Sequence, residues 1–138
     1  MYNSTSGLEY KKFRVRGHIK SFRDLEVYKQ TTLLASKTIQ MNLEETLQEQ
    51  ARKIPKTIAK SYGEKFVNRQ HAYEMIEQTA QNISELITEM DLIIALTEKS
   101  EDKEPFLDLI KKYQIQKRKI LNLKKAWIRI EKKWPQTT

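Results

Sequence analysis

Apolar residues recur every three or four positions along most of this chain, the spacing that places side chains on one face of an α-helix. In the third and fourth periodic stretches the steps alternate between three and four throughout, as in the seam of a coiled coil. The spacing predicts helices near Ser21–Gln40, Asn42–Tyr62, Asn68–Glu98 and Asp102–Trp134. Since the connections are short, we expect an all-α, antiparallel up-down four-helix bundle over residues 21–138, preceded by a basic N-terminal arm over residues 1–20.

Capping residues suggest where the helices begin and end. Ser21, followed three residues later by an aspartate, resembles a capping box, and Ser100 precedes a cluster of acids at the predicted start of helix 4. Gly63 is the predicted C-cap of helix 2. No Gly or Pro separates helices 1 and 2. We place a tight turn there, with Asn42 as the cap of helix 2, and one unbroken helix is the competing interpretation.

The same spacing predicts which residues form the core. On helix 1 the buried stripe is expected to carry Phe22, Leu25, Tyr28, Ala35 and Ile39, with Thr32 as a polar interruption, and Leu34 and Met41 widen it. On helix 4, Trp127 and Trp134 lie on the apolar stripe. Core packing or a subunit contact is therefore favoured for them over base stacking.

Positive and negative charge are separated along the chain. The net charge is +8, yet Glu64–Ser100 carries three bases and seven acids. Lys111–Lys133 carries ten Lys and Arg residues, with Glu131 as its one acid. A basic helix within a bundle favours a polyanionic partner, and nucleic acid is the first to consider.

Residues suited to catalysis or metal binding are sparse. The chain has no cysteine, and three scattered glycines cannot form a phosphate-binding loop. His18 has no acid three or four residues away, and His71 has only Glu74. Glu85 and Glu89 share a helix face without the Glu-x-x-His pairs of a ferritin-like site. We therefore expect no enzymatic activity, no cofactor and no metal site.

Two groups of basic residues are the candidate nucleic-acid-binding residues. Phosphate recognition needs charge more than fine geometry, so rows of Lys and Arg suit non-specific binding. A solvated basic face, or electrostatics between subunits, is the alternative. The group on helix 2 comprises Arg52, Lys53, Lys56 and Lys60. The group on helix 4, expected on its exposed side, comprises Lys117, Arg118, Lys124, Lys125, Arg129, Lys132 and Lys133.

Three short segments resemble a known family. DLEVY at residues 24–28 resembles the opening of helix 1 in the bacterial four-helix-bundle proteins encoded in 23S rRNA intervening sequences. IPKTIAKSYG at residues 54–63 is similar to the second-helix motif of that family, and ISEL at residues 83–86 to its third-helix motif. The usual Asn, Glu and Gly of the second motif are replaced here by Thr57, Lys60 and Ser61.

That family is similar in fold to the accessory variability determinant of diversity-generating retroelements, a positively charged pentameric barrel that assists a reverse transcriptase by binding nucleic acid. The resemblance implies a homo-oligomer, with a pentamer as the expected form, and a bacterial cytoplasmic location. It implies no enzymatic activity. No stretch of the sequence is apolar enough to predict a membrane span.

Together these patterns predict a non-enzymatic accessory protein that binds nucleic acid, either structured RNA or an RNA–DNA hybrid. A reverse transcriptase is the partner that the family resemblance suggests. The alternative is a protein–protein scaffold in which basic helix 4 meets acidic helix 3 of a neighbouring subunit.

Overall fold

Four α-helices pack around one core in the computed structural model, which describes residues 19–133. Each helix packs against its neighbours in the chain, and α4 also contacts α1, so α1 lies diagonally opposite α3 and α2 opposite α4. The predicted all-α four-helix bundle is confirmed. Trp134 and most of the predicted arm lie outside the described residues. The helices are α1 (Glu26–Gln40), α2 (Glu45–Glu64), α3 (Arg69–Leu96) and α4 (Ser100–Lys133).

Tyr113 is the one aromatic residue among the fully buried side chains of the described core, whose other large apolar members are aliphatic. Tyr113 of α4 is fully buried, and its hydroxyl lies 3.1 Å from Oγ1 of Thr38 on α1. Burial raises the pKa of Tyr113 to about 12. An unpaired hydroxyl in this position would be costly, so the hydrogen bond fixes α1 against α4. The fully buried aliphatic residues include Ile54, Ile58, Ile76, Ile83, Leu86, Met90 and Ile120.

Three threonines are buried within this apolar core. Thr31, Thr38 and Thr79 each donate a hydrogen bond to the carbonyl oxygen four residues earlier in the same helix, at 2.7–2.8 Å. This bond satisfies the hydroxyl inside the helix, so the remaining methyl group packs like an apolar residue.

The start of helix 1 differs from the prediction. The capping box is present, because the Asp24 carboxylate accepts from the backbone N–H of Ser21 and the Ser21 hydroxyl accepts from that of Arg23. It caps a short 3-10 turn, Phe22–Asp24, and α1 begins only at Glu26 after Leu25 adopts an extended conformation.

The buried face of α1 agrees only in part with the predicted stripe. Tyr28 and Ile39 of the predicted stripe are only half-buried, and Thr32 is exposed. The buried residues of α1 are Val27, Thr31, Leu34, Ala35 and Thr38. Leu25, Leu34 and Ala35 are buried as predicted. The predicted stripe missed Val27, Thr31 and Thr38, so it lies to one side of the buried face.

Two further predicted caps are also wrong, although helices 1 and 2 are separate as predicted. Asn42 adopts a left-handed conformation, with φ 59°, which asparagine tolerates better than most residues. It therefore turns the chain after α1 and does not cap α2, which begins at Glu45. Helix α2 continues through Gly63, and Lys65 caps it with right-handed dihedral angles.

Candidate nucleic-acid interface

The outward face of α4 carries a row of basic side chains. Arg118, Lys125 and Lys132 follow one another at intervals of seven residues, about 10.5 Å along the axis. Arg129 and Lys133 lie beside them, and all five are exposed. None forms an ion pair within residues 19–133. We call these five residues the α4 row.

Two predicted members of this basic group belong elsewhere. Lys117 is half-buried, and the side chain of Lys124 is only 24% exposed. The Lys124 ammonium forms an ion pair with the Glu77 carboxylate of α3. Since successive residues are about 100° apart around a helix, both lysines flank the buried Ile120 on its α3 side. The prediction that these two lie on the exposed side of α4 is therefore wrong.

The basic group of α2 lines a groove between α1 and α2, with a volume of about 900 Å³. Arg52 already has partners, because its guanidinium lies 2.8 Å from the Glu49 carboxylate and 3.6 Å from that of Glu45. The other three basic residues of the group are exposed and form no ion pair in the described part of the chain. They are Lys53, Lys56 and Lys60, which we call the lysine wall.

The floor of this groove is largely apolar. Tyr28 and Ile39, which the sequence assigned to the core, contribute to it. The rings of Phe22 and Tyr28 pack edge to face with their centroids 4.9 Å apart. The α1–α2 groove therefore combines a cationic wall with an apolar floor, made by Phe22, Tyr28, Ala35, Ile39, Pro55 and Ala59.

The structure does not bring the two predicted basic groups together. Helices α2 and α4 lie diagonally across the bundle, and no Cα atom of one is within 8 Å of a Cα atom of the other in the described chain. One molecule therefore has two separate positive surfaces, the α4 row and the lysine wall. The partner of each surface must therefore be inferred from the residues that surround that surface.

A third basic site was not among the predicted residues. The Lys65 ammonium lies 5.1 Å, 5.2 Å and 5.0 Å from the ring centroids of Tyr62, Phe66 and Trp127. Burial lowers the pKa of Lys65, and the nearby Arg69 lowers it further. Cation–π attraction to three rings offsets part of that cost. Trp127 is itself buried, as predicted for core packing.

The one acid of the basic stretch holds α3 against α4. The Tyr73 hydroxyl donates to the Glu131 carboxylate, and Nη1 of Arg69 lies 3.5 Å from that carboxylate. Burial, followed by the bond to Glu131, raises the pKa of Tyr73 to about 12. Sequence spacing linked His71 with Glu74, but its Nδ1 lies 3.1 Å from the Glu64 carboxylate instead.

Other comparisons give no further assignment. Within residues 19–133, no cluster of three or more His, Cys, Asp or Glu side chains is arranged to hold a metal ion. None of the described helices has a stretch long and apolar enough to cross a bilayer. Comparisons of this chain with protein-family models, curated proteins and solved structures found no match.

Proposed function

We propose that this protein binds the phosphate backbone of nucleic acid through the α4 row, as a non-enzymatic accessory protein. One observation carries the proposal: five cations share one face of a helix, all exposed and without an ion pair in the described chain. Glu131, the nearby acid, is bonded to Tyr73 and Arg69 and does not neutralise the row. The row therefore presents a positive potential to solvent.

The geometry of the row favours backbone contacts over base contacts. Arg118 and Lys133 are fifteen residues apart in the sequence, so the row is about 22 Å long. A straight line of flexible cations matches regularly spaced phosphates and carries little sequence information. Structured RNA and RNA–DNA hybrids are the substrates that fit this expectation, with little dependence on base sequence.

The family resemblance extends the proposal in two directions. It adds assembly into a homo-oligomeric ring, with a pentamer as the expected form, and assistance to a reverse transcriptase in the cytoplasm. A ring would place several α4 rows on one particle and raise the local positive potential. A scaffold function is the second candidate, and the apolar floor of the α1–α2 groove favours it.

Salt dependence tests the proposal directly. Binding of an RNA hairpin is measured by fluorescence anisotropy over a range of salt concentrations. Five phosphate contacts should give a slope of log Kobs against log salt of about −3.5 to −4.5, since each contact contributes about 0.7 to 0.9. The triple variant Arg118→Gln, Lys125→Gln, Arg129→Gln should reduce that slope by about 2.1 to 2.7.

A matched control removes the same charge elsewhere. Lys29, Lys37 and Lys99 are exposed and lie outside both the α4 row and the groove. Their simultaneous replacement by Gln should leave the slope within about one contact of wild type. An equal loss of slope in this control would refute the assignment to the α4 row. Failure of a folded wild-type protein to bind any nucleic acid at low salt would refute the function.

A further inference from the structure

The outward face of α3 carries an exposed stripe of two acids and two leucines. Glu85, Glu89, Leu92 and Leu96 follow one another at steps of four, three and four residues, which places them on one face. The leucine side chains are unusually open, since Leu92 is 54% and Leu96 84% exposed. The opposite face of α3 is the buried one. We call these four residues the α3 stripe.

The α3 stripe matches the α1–α2 groove in charge. The lysine wall offers three ammonium groups without an ion pair in the described residues, and the stripe offers two such carboxylates, of Glu85 and Glu89. It also matches in polarity, because two exposed leucines can cover an apolar floor. Amphipathic helices bind grooves in this way, with anchors at steps of three and four residues.

The two surfaces also match in length. Glu85 and Leu96 are eleven positions apart, as are Tyr28 and Ile39 along the groove floor. At 1.5 Å per residue, each surface extends about 16 Å. The stripe can therefore lie along the groove with acids beside the lysine wall and leucines over the floor.

We propose that the α3 stripe of one copy docks into the α1–α2 groove of a second copy of this chain. The contact cannot form within one molecule, because α3 lies diagonally opposite α1 and its stripe faces away from the core. The inference rests on the homo-oligomer of the proposed function and names the surfaces that build it. It is independent of nucleic-acid binding by the α4 row.

Other occupants fit the groove less well. Residues 1–18 contain four bases and one acid, so this segment has the same sign as the lysine wall. RNA phosphates would pair with the lysines but leave the apolar floor exposed to water. The stripe of a second copy satisfies both parts of the groove at once.

A mixing experiment tests the pairing. Groove and stripe are different patches, so the contact is heterologous and each copy carries one of each. The groove variant is Lys53→Glu, Lys56→Glu, Lys60→Glu, and the stripe variant is Leu92→Asp, Leu96→Asp. Each variant alone should have a mass near 16.4 kDa by light scattering, whereas wild type should be larger. Mixed together, the two variants should form a one-to-one complex of twice that mass, because one intact groove meets one intact stripe.

Several results would overturn the inference. These are a wild-type mass near 16.4 kDa at about 100 μM, a variant that keeps the wild-type mass, or a mixture that stays monomeric. Retained assembly combined with lost RNA binding in the groove variant would assign the groove to RNA instead. If circular dichroism shows that either variant has lost helix, the single variants Lys56→Glu and Glu89→Lys are used instead. Each single variant should fail to assemble, and the double variant that carries both substitutions should assemble again, because the charge pair is restored with its signs exchanged. Any other pattern refutes the pairing.

RNA binding distinguishes failure of this inference from failure of the proposed function. The groove variant keeps the α4 row, so it should bind the RNA hairpin as a monomer with the slope expected for that row. Lost assembly with retained RNA binding supports both assignments. Assembly that is unaffected in both variants refutes the groove contact and leaves nucleic-acid binding to its own test.

Discussion

The α4 row and the lysine wall contain the same kinds of residue but have different surroundings. The α4 row lies opposite the buried residues of α4, and the exposed large apolar residues of this helix, Leu107 and Ile130, are single side chains outside the apolar floor of the α1–α2 groove. The lysine wall borders Tyr28, Ile39 and Pro55, whose apolar surfaces are accessible from the groove. Phosphate binding needs charge alone, whereas a docked helix also needs apolar area. Our two proposals therefore assign the α4 row to a polyanion and the α1–α2 groove to a protein on the basis of apolar neighbours, and not of the number of basic residues.

Salt provides the largest test of this difference. Raising ionic strength from about 50 mM to about 300 mM should weaken RNA binding by the α4 row on the order of 1,000-fold, because released counterions oppose binding. Assembly through the groove should weaken by less than about tenfold, since salt screens its charge pairs but not its apolar contact. Parallel anisotropy and sedimentation measurements on one preparation compare the two. If RNA binding and assembly weakened equally with salt, the proposed difference between the α4 row and the groove would be refuted.

Shortening the exposed leucines sharpens the protein side of the comparison. Leu92→Ala and Leu96→Ala should each weaken assembly by about tenfold, because each leaves less apolar surface to bury in the groove. RNA binding should stay unchanged. Leu33 is the matched control, since it is 57% exposed on α1 and lies outside the groove. The same loss of assembly in Leu33→Ala would show that the effect is not specific to the stripe.

A core substitution should change the stability of the protein without changing the binding properties of either surface. Tyr113→Phe removes the buried hydroxyl that bonds to Thr38 and should lower the free energy of unfolding by about 1 kcal/mol. Urea denaturation measures this change. RNA affinity and assembly of the folded variant should match wild type. A change in either would mean that the two surfaces are coupled through the core.

The smallest effect is expected at the caged lysine. Lys65→Met should change the free energy of unfolding at neutral pH by less than about 1 kcal/mol, because lost cation–π attraction is offset by the removed cost of burying a charge. It should leave the salt slope of RNA binding unchanged. A reduced slope would show that Lys65 also contacts phosphate.

Lys65→Met should also change the way in which the free energy of unfolding depends on pH in the alkaline range. The pKa of Lys65 lies below its usual value of 10.5 in the folded protein, so the unfolded chain holds this proton more tightly. Stability should therefore rise with pH between the lowered pKa and 10.5. Lys65→Met should lack this contribution. Urea unfolding of both proteins across that pH range compares them.

Long regular periodicity predicted the fold well. On α3 the alternating steps placed Ile76, Ile83 and Met90 in the core, and the structure buries all three. The buried face of α1 was predicted only in part, because two of its positions are Thr31 and Thr38, which a pattern of apolar residues does not include. The start of α1 at Glu26 was also missed, because the sequence contains no Gly or Pro near Leu25 and the capping box is equally compatible with a 3-10 turn.

The candidate site could be predicted only in part. Composition and spacing found the exposed residues of the α4 row and the lysines of α2. The groove beside those lysines depends on how α1 rotates against α2, which spacing within either helix does not determine. The pairing of Lys124 with Glu77 joins residues 47 positions apart, and the cage around Lys65 needs Trp127 from another helix. Such contacts exist only after the helices have packed.

The hydrogen bond between Thr38 and Tyr113 has a consequence for the order of folding. It spans 75 residues, whereas the contacts of α1 with α2, of α2 with α3 and of α3 with α4 join neighbours in the sequence. Closing a long loop costs more entropy, so the pairing of α1 with α4 should form after the rate-limiting barrier. Tyr113→Phe should therefore accelerate unfolding and leave the refolding rate nearly unchanged, which makes this one hydroxyl a determinant of how long the folded state persists.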